Sequence, residues 1–268
     1  MTCDDLGSRL KQKMAAGRKL IVPYITGGLP NPDGFVATYR RLSEYADAIE
    51  VGMAFSDPVM DGPVIQEASV KALESGMTPA ACFDLIARAR RESQTPAVVM
   101  TYFNLIHSRG LLRFADEARA AGVSGLIVPD LPYEECSQLH AVLSERSMAL
   151  IQLVAPTTSS QRAAMLAAYS SGWVYAVSRM GVTGEQQSLA SSGTEVISRI
   201  KPHTDLPVLL GVGISTPEQA AEACRVADGV IVGSALLKRI LAGNSDEAVK
   251  LIAAMRRSID SSGSVAAG

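Results

Sequence analysis

Eight short apolar runs, separated by helix-like stretches, restrict the fold of this sequence more than any other feature. They are LIVPYIT (20–26), DAIEVG (47–52), AVVMTYF (97–103), GLIVPD (125–130), ALIQLVAP (149–156), WVYAVS (173–178), PVLLGVG (207–213) and GVIVGS (229–234). Each is rich in aliphatic residues, does not alternate polar with apolar, and usually ends at Gly, Pro, Ser or Asp. Runs of this kind suit strands buried on both faces of a parallel sheet. Helix signals fill the intervals. Asn31-Pro32 and Thr78-Pro79 set a capping residue before a first-turn proline, and Thr216 to Gln219 spells a capping box. LLRFADEARAAG (111–122) carries apolar residues at helical spacing and stops at Gly. The long interval between the second and third runs holds two helices, over 63–76 and 79–92.

Strand and helix alternating eight times leaves two architectures, a closed barrel and a doubly wound open sheet. A dinucleotide-binding open sheet carries G-x-G-x-x-G after its first strand, and here that turn reads TGGLPNPDG (26–34). Glycines after the last two strands are the usual phosphate site of a barrel. The expectation is therefore α/β, a single (β/α)8 barrel over 1–260, with a disordered tail, SSGSVAAG, at 261–268.

Composition removes several function classes. Lys plus Arg number 25 against 27 Asp plus Glu, a net charge of -2, so no basic excess exists to neutralise nucleic-acid phosphates. No apolar run is long enough to span a bilayer. The opening MTCDDLGSRLKQKM lacks the apolar core of a signal peptide, and a cytoplasmic protein is expected. Cys3, Cys82, Cys136 and Cys224 lie far apart with no C-x-x-C pair, which speaks against a disulfide framework or zinc site. His107, His140 and His203 have no metal-ligand spacing, so no metal is expected. His140 and His203 fall away from the active face, and His107 lies in the loop after the third strand. The lysines, at 11, 13, 19, 71, 201, 238 and 250, avoid strand C-terminal ends, which disfavours a Schiff base. Acid–base chemistry without a cofactor remains.

Catalytic groups of a barrel sit at strand C-terminal ends and in the loops that follow. Glu50 stands between Ile49 and Val51 in the second run. A carboxylate there is costly, so it either pairs with a buried Arg or Lys or serves the reaction, and the acidic loop that follows favours the reaction. That loop, MAFSDPVMDGP (53–63), carries Asp57 and Asp61, each a turn former or a second functional acid. A buried Glu has a raised pKa and can exchange protons near neutrality, while a second carboxylate stays ionised and stabilises positive charge. Three loops bring glycines: SRMGVTGEQQSLASSG (178–193), Gly211-Val212-Gly213, and Gly233-Ser234 before a helix start. Glycine lets backbone N–H groups approach an anion, and a helix N-terminus favours negative charge. The loop 179–193, with few apolar anchors, is expected to be a mobile lid.

IEVGMAFSDPVMDGPVIQ (49–66) resembles the signature of the tryptophan synthase α-subunit family. PYITGG (23–28), VVMTYFN (98–104), GLIVPDLP (125–132), LVAPTT (153–158), SRMGVTG (178–184), GVGISTPEQA (211–220) and ADGVIVGSAL (227–236) follow in that family's order. The resemblance implies retro-aldol cleavage of indole-3-glycerol phosphate to indole and glyceraldehyde 3-phosphate. It implies Glu50 as the main acid–base group and Asp61 as the group that holds the indole N–H. Tyr175 lines the site, and Gly184, Gly213, Gly233 and Ser234 bind the phosphate. Thr183 of the lid contacts Asp61. It further implies a β subunit in an αββα assembly, met through the loop 53–63 and receiving indole, with pyridoxal phosphate in that partner and no cofactor in this chain. The sequence departs from the family at Leu29, Ala54, Met60, Leu105 and Val212. Ala54 replaces an interface-loop proline, Met60 a small residue beside Asp61, and Val212 a larger, often aromatic, side chain. The competing readings are a stand-alone lyase, a weak subunit that mainly activates the β chain, and another phosphate-binding barrel such as an isomerase. The signature at 49–66 disfavours the last.

Overall fold

The structure, a computed structural model, describes residues 6–177, 189–211 and 213–264. In chain order the elements are α1 (Leu6–Ala15), β1 (Leu20–Thr26), α2 (Pro32–Ser43), β2 (Ile49–Gly52), α3 (Pro63–Glu74), α4 (Pro79–Arg90), β3 (Ala97–Met100), α5 (Phe103–Arg109), α6 (Leu111–Ala120), β4 (Val123–Ile127), α7 (Ser137–Ser144), β5 (Ala149–Val154), α8 (Ser160–Tyr169), β6 (Val174–Val177), α9 (Leu189–Ile200), β7 (Val208–Gly211), α10 (Pro217–Ala223), β8 (Gly229–Val232), α11 (Ser234–Leu241) and α12 (Ser245–Ser264). The eight described strands pair in parallel, each with the next and β8 with β1, and the barrel closes.

The lack of polar alternation in the strands has a direct cause, because both faces are covered. One face of the strands fills the barrel with Leu20, Val22, Val98, Ile151, Trp173, Leu209 and Ile231. Leu6 and Leu10 of α1 join this cluster and plug the N-terminal end. The other face, including Ile21, Ile49, Val51, Val99, Leu126, Leu150, Val208 and Val230, packs against the surrounding helices. Below the barrel, the fully buried carboxylate of Asp47 accepts the Ile21 N–H at 2.9 Å and bonds from Lys13 (2.9 Å), Arg18 (2.8 Å) and Arg256 (3.3 Å). That knot ties α1 and α12 to the strands at the end opposite the loops that build the site.

The helix starts carry the expected caps. Asn31 and Thr78 side chains accept the N–H groups of Gly34 and Ala81, and Thr216 and Gln219 form a reciprocal capping box. The third apolar run, read as 97–103, ends as a strand at Met100, because Phe103 opens α5; His107 lies within that helix rather than in a loop. The loop read as 178–193 gives way to helix at Leu189. Of the expected tail 261–268, residues 261–264 are helical and the rest lie outside the described residues. Cys82, Cys136 and Cys224 are buried free thiols. Among the described residues no helix is long and apolar enough to cross a membrane.

Candidate active site

Glu50 sits in β2 between Tyr24 of β1 and Val98 of β3 in the strand register. The residue is 1% exposed, and its Oε2 has no hydrogen-bond partner among the described residues. The alternative in which it pairs with a buried Arg or Lys finds no partner there. Burial without compensation disfavours the anion, and the nearby charge of Asp61 adds to this, so the carboxyl is pushed up to about 8.

Asp61 lies half-buried in the loop after β2. Its N–H donates to Pro58 O at 3.0 Å, and the Gln66 amide donates to its carbonyl at 2.9 Å, which fixes the backbone. The Tyr102 hydroxyl donates to Asp61 Oδ2 at 3.1 Å. Burial raises this carboxyl to about 6, and the Tyr102 bond opposes the rise. Asp57 takes the other course open to an acid in this loop. It is exposed and receives the Ser56 hydroxyl at 2.5 Å, as a turn residue does.

Tyr24 and Tyr175 stand close enough to both acids to feel their charge. Each phenol is held well above its usual range, first by burial and then by the carboxylates, and each is therefore a neutral donor. Two strand-end glycines make room for them. A Cβ on Gly52 would overlap the Tyr24 hydroxyl, and one on Gly211 would fall 2.5 Å from the Tyr175 hydroxyl. Tyr24, Tyr102 and Asp130 were missed by sequence reasoning. The only signal for the tyrosines was an aromatic residue with a polar tip near the C-terminal end of an apolar run. For Asp130, which accepts the Phe103 N–H through both carboxylate oxygens at 2.9 and 3.1 Å, there was only the strand-end position.

Two of the glycine loops lie at the ends of β7 and β8. Gly213 has φ +81°, a conformation that a side chain resists. Gly233 is the N-cap of α11 and supplies no capping side chain; the Leu236 N–H donates to Gly233 O at 2.9 Å, which leaves the Ser234 and Ala235 N–H groups at the helix start for an anion. Ser234 is the first residue of α11 and is exposed. Thr183, Gly184 and Val212 lie outside the described residues. No group of three or more His, Cys, Asp or Glu that could hold a metal ion occurs among the described residues.

Residues 10–262 match the profile of the family described as tryptophan synthase alpha chain. The chain is similar to the tryptophan synthase alpha chain of Halorhodospira halophila, 42% identical over 95% of this chain and 96% of that one. It is 39% identical to the alpha chain of Bacillus cereus over 93% of this chain and 97% of that one. Among solved structures, the alpha subunit from Legionella pneumophila superposes with a TM-score of 0.87 at 32% identity, covering 96% of this chain and 98% of that one. A Mycobacterium tuberculosis tryptophan synthase chain gives 0.87 at 36% identity, covering 95% and 97%.

Proposed function

The chain belongs to the tryptophan synthase alpha chain family and is a lyase that cleaves indole-3-glycerol phosphate, and we propose that Glu50 and Asp61 carry the reaction. The observation that supports this most is the contrast between a buried Glu50, whose Oε2 has no hydrogen-bond partner among the described residues, and a half-buried Asp61 that accepts the Tyr102 hydroxyl; burial pushes Glu50 up to about 8 and Asp61 to about 6. At neutral pH the first holds its proton and the second its charge. One carboxyl can then act as an acid while the other stabilises developing positive charge.

Glu50 delivers its proton to C3 of the indole ring, and the ring N–H, now bearing positive charge, donates to the Asp61 carboxylate. The Glu50 carboxylate takes the proton of the hydroxyl on the carbon attached to C3. The bond between that carbon and C3 breaks, and its electron pair returns to the ring. The carbon becomes the aldehyde of glyceraldehyde 3-phosphate, indole leaves with the delivered proton at C3, and Glu50 ends protonated. Tyr175 lines the pocket beside Glu50. Gly184, Gly213, Gly233 and Ser234 hold the phosphate through backbone N–H groups. Thr183 reaches Asp61 when the lid closes and excludes water.

The loop 53–63 serves as the docking loop for a β subunit in an αββα assembly in the cytoplasm. That partner consumes the indole with its own pyridoxal phosphate; the steps above draw on no cofactor in this chain. In support, Val59 and Met60 are 80% and 60% exposed, next to Asp61. Adjacent exposed apolar side chains are a mark of an interaction surface. The test is indole release from indole-3-glycerol phosphate, titrated with β subunit and run beside Asp61→Asn and the lid variant Thr183→Val. Weak turnover alone, a marked rise with β subunit and a large loss in Asp61→Asn are expected. Full activity without any response to β subunit would make the chain a stand-alone lyase. Wild-type kinetics in Asp61→Asn would return Asp61 to a turn residue.

A further inference from the structure

We infer that Tyr102 is a positioning residue for Asp61, fixing the loop after β2 at three points so that the Asp61 carboxylate is presented to the substrate as an acceptor. This rests on Asp61 being the group that receives the indole N–H. The first point is the ring of Phe55, stacked on the Tyr102 ring with centroids 4.9 Å apart and planes 27° from parallel. The second is the Met60 N–H, which donates to the Tyr102 hydroxyl at 3.0 Å. The third is Asp61 itself, whose Oδ2 accepts the hydroxyl proton at 3.1 Å. Phe55, Met60 and Asp61 span the loop, so one side chain holds its start and its end.

The direction of the bonds carries the argument. A phenol has one proton. With the Met60 N–H pointing at its oxygen, the hydroxyl is oriented to donate, and the partner that gains most from a donor is an ionised carboxylate. The chain from Met60 N–H through Tyr102 to Asp61 runs in one sense and polarises along its length. Glu50 Oε2 has no comparable donor among the described residues. Tyr102 thus distinguishes the two acids, favouring the charged form of one and not of the other. Tyr102 is itself held firmly. It is 3% exposed, its carbonyl accepts the Leu105 N–H at 3.0 Å, and the next residue, Phe103, is bonded to Asp130 of the loop after β4. The titratable groups facing Asp61 are Tyr24 of β1, Glu50 of β2, Tyr102 after β3 and Tyr175 of β6, with Asp130 facing Tyr102. Among these the bond to the Asp61 carboxylate comes from Tyr102.

The test is Tyr102→Phe, which keeps the ring and its stack on Phe55 and removes the hydroxyl. The Asp61 titration, followed by carboxyl ¹³C NMR and independent of turnover, should move up by about half to one pH unit. The acid limb of kcat/KM for indole-3-glycerol phosphate should move with it, and kcat should fall about tenfold. A thermal melt checks that the variant is folded. The double variant Tyr102→Phe/Asp61→Asn should be no slower than Asp61→Asn alone, because Tyr102 acts through Asp61. An unmoved Asp61 titration, or losses that simply multiply in the double variant, would overturn the inference and leave Tyr102 a packing residue. Wild-type kinetics in Asp61→Asn would instead sink the assignment of Asp61, while the NMR titration would still decide whether Tyr102 holds it.

Discussion

A carboxyl group buried at Glu50 costs stability whenever it is ionised, and the sign of that cost is fixed by its raised pKa. The folded value of about 8 lies above the ordinary 4.5. The stabilising, protonated form is fully present below about pH 4.5 and is lost as pH rises toward 8, because the folded state binds a proton that the unfolded chain has released. Glu50→Gln keeps the shape without the charge. It should therefore melt higher than the parent, by a margin that grows between pH 5 and 8 and then levels off; a constant or reversed margin across pH would contradict the burial of an unpaired acid. The same two carboxyls predict a bell in kcat/KM, with an acid limb near 6 from Asp61 and an alkaline limb near 8 from Glu50. A profile flat from pH 5 to 9 would separate both from the rate. At this scale the sequence told part of the story. Glu50 was legible because an acid in an apolar strand needs a reason. From the residues alone Asp61 and Asp57 were not distinguishable, since both stand at turn positions; the family resemblance singled out Asp61, and the folded loop leaves it half-buried and Asp57 exposed. Tyr24 and Tyr102 read as strand-forming aromatics, and their roles depend on groups far away in the chain.

Helix and strand ends carry the proposed phosphate site. Gly213 lies in the left-handed region at φ +81°, where a side chain costs about 1–2 kcal/mol and also blocks close approach of an anion. Gly213→Val should raise KM for the phosphorylated substrate about tenfold or more, on this steric ground, with a smaller effect on kcat; an unchanged KM would remove Gly213 from the site. Gly233→Val works by bulk alone, because a Cβ there meets Tyr24 at an ordinary 3.5 Å. A sulfate or glycerol phosphate soak should place the anion near Gly213, Gly233 and Ser234. Caps and apolar periodicity made most elements legible before any coordinates. Two of the differences have clear physical causes. At 189–193 Ser and Gly argue for loop, yet the helix forms, with Val196, Ile197 and Ile200 buried just beyond; packing outweighs propensity there. At 101–103 the strand stops where Phe103 finds Asp130, 27 residues on, a partner no local pattern announces.

Closure of the barrel is what places two acids, three tyrosines and two glycine loops at one mouth, and the polar knot at the other end helps to hold that closure. Asp47 is fully buried with three cationic partners. Asp47→Asn removes the charge that faces them, but Lys13 and Arg18 are each more than a third exposed and Arg256 keeps Asp260 as a partner, so it should cost about 1–3 kcal/mol, a fall in melting temperature of roughly 2–12 °C for a chain of this size. Activity per folded molecule at 25 °C should be nearly unchanged, since the knot lies at the far end of the barrel; a selective loss of activity with normal stability would reverse that assignment. The fold and the family were legible in the sequence because eight buried strands and an ordered set of strand-end motifs leave few alternatives. The measurement that bears most directly on the central claim is steady-state indole release from indole-3-glycerol phosphate by Glu50→Gln at neutral pH, beside the parent chain. Turnover lower by about 10²–10⁴-fold in a folded variant, with KM within a few-fold of the parent, is predicted. Near-parental turnover would contradict it and remove Glu50 from the reaction.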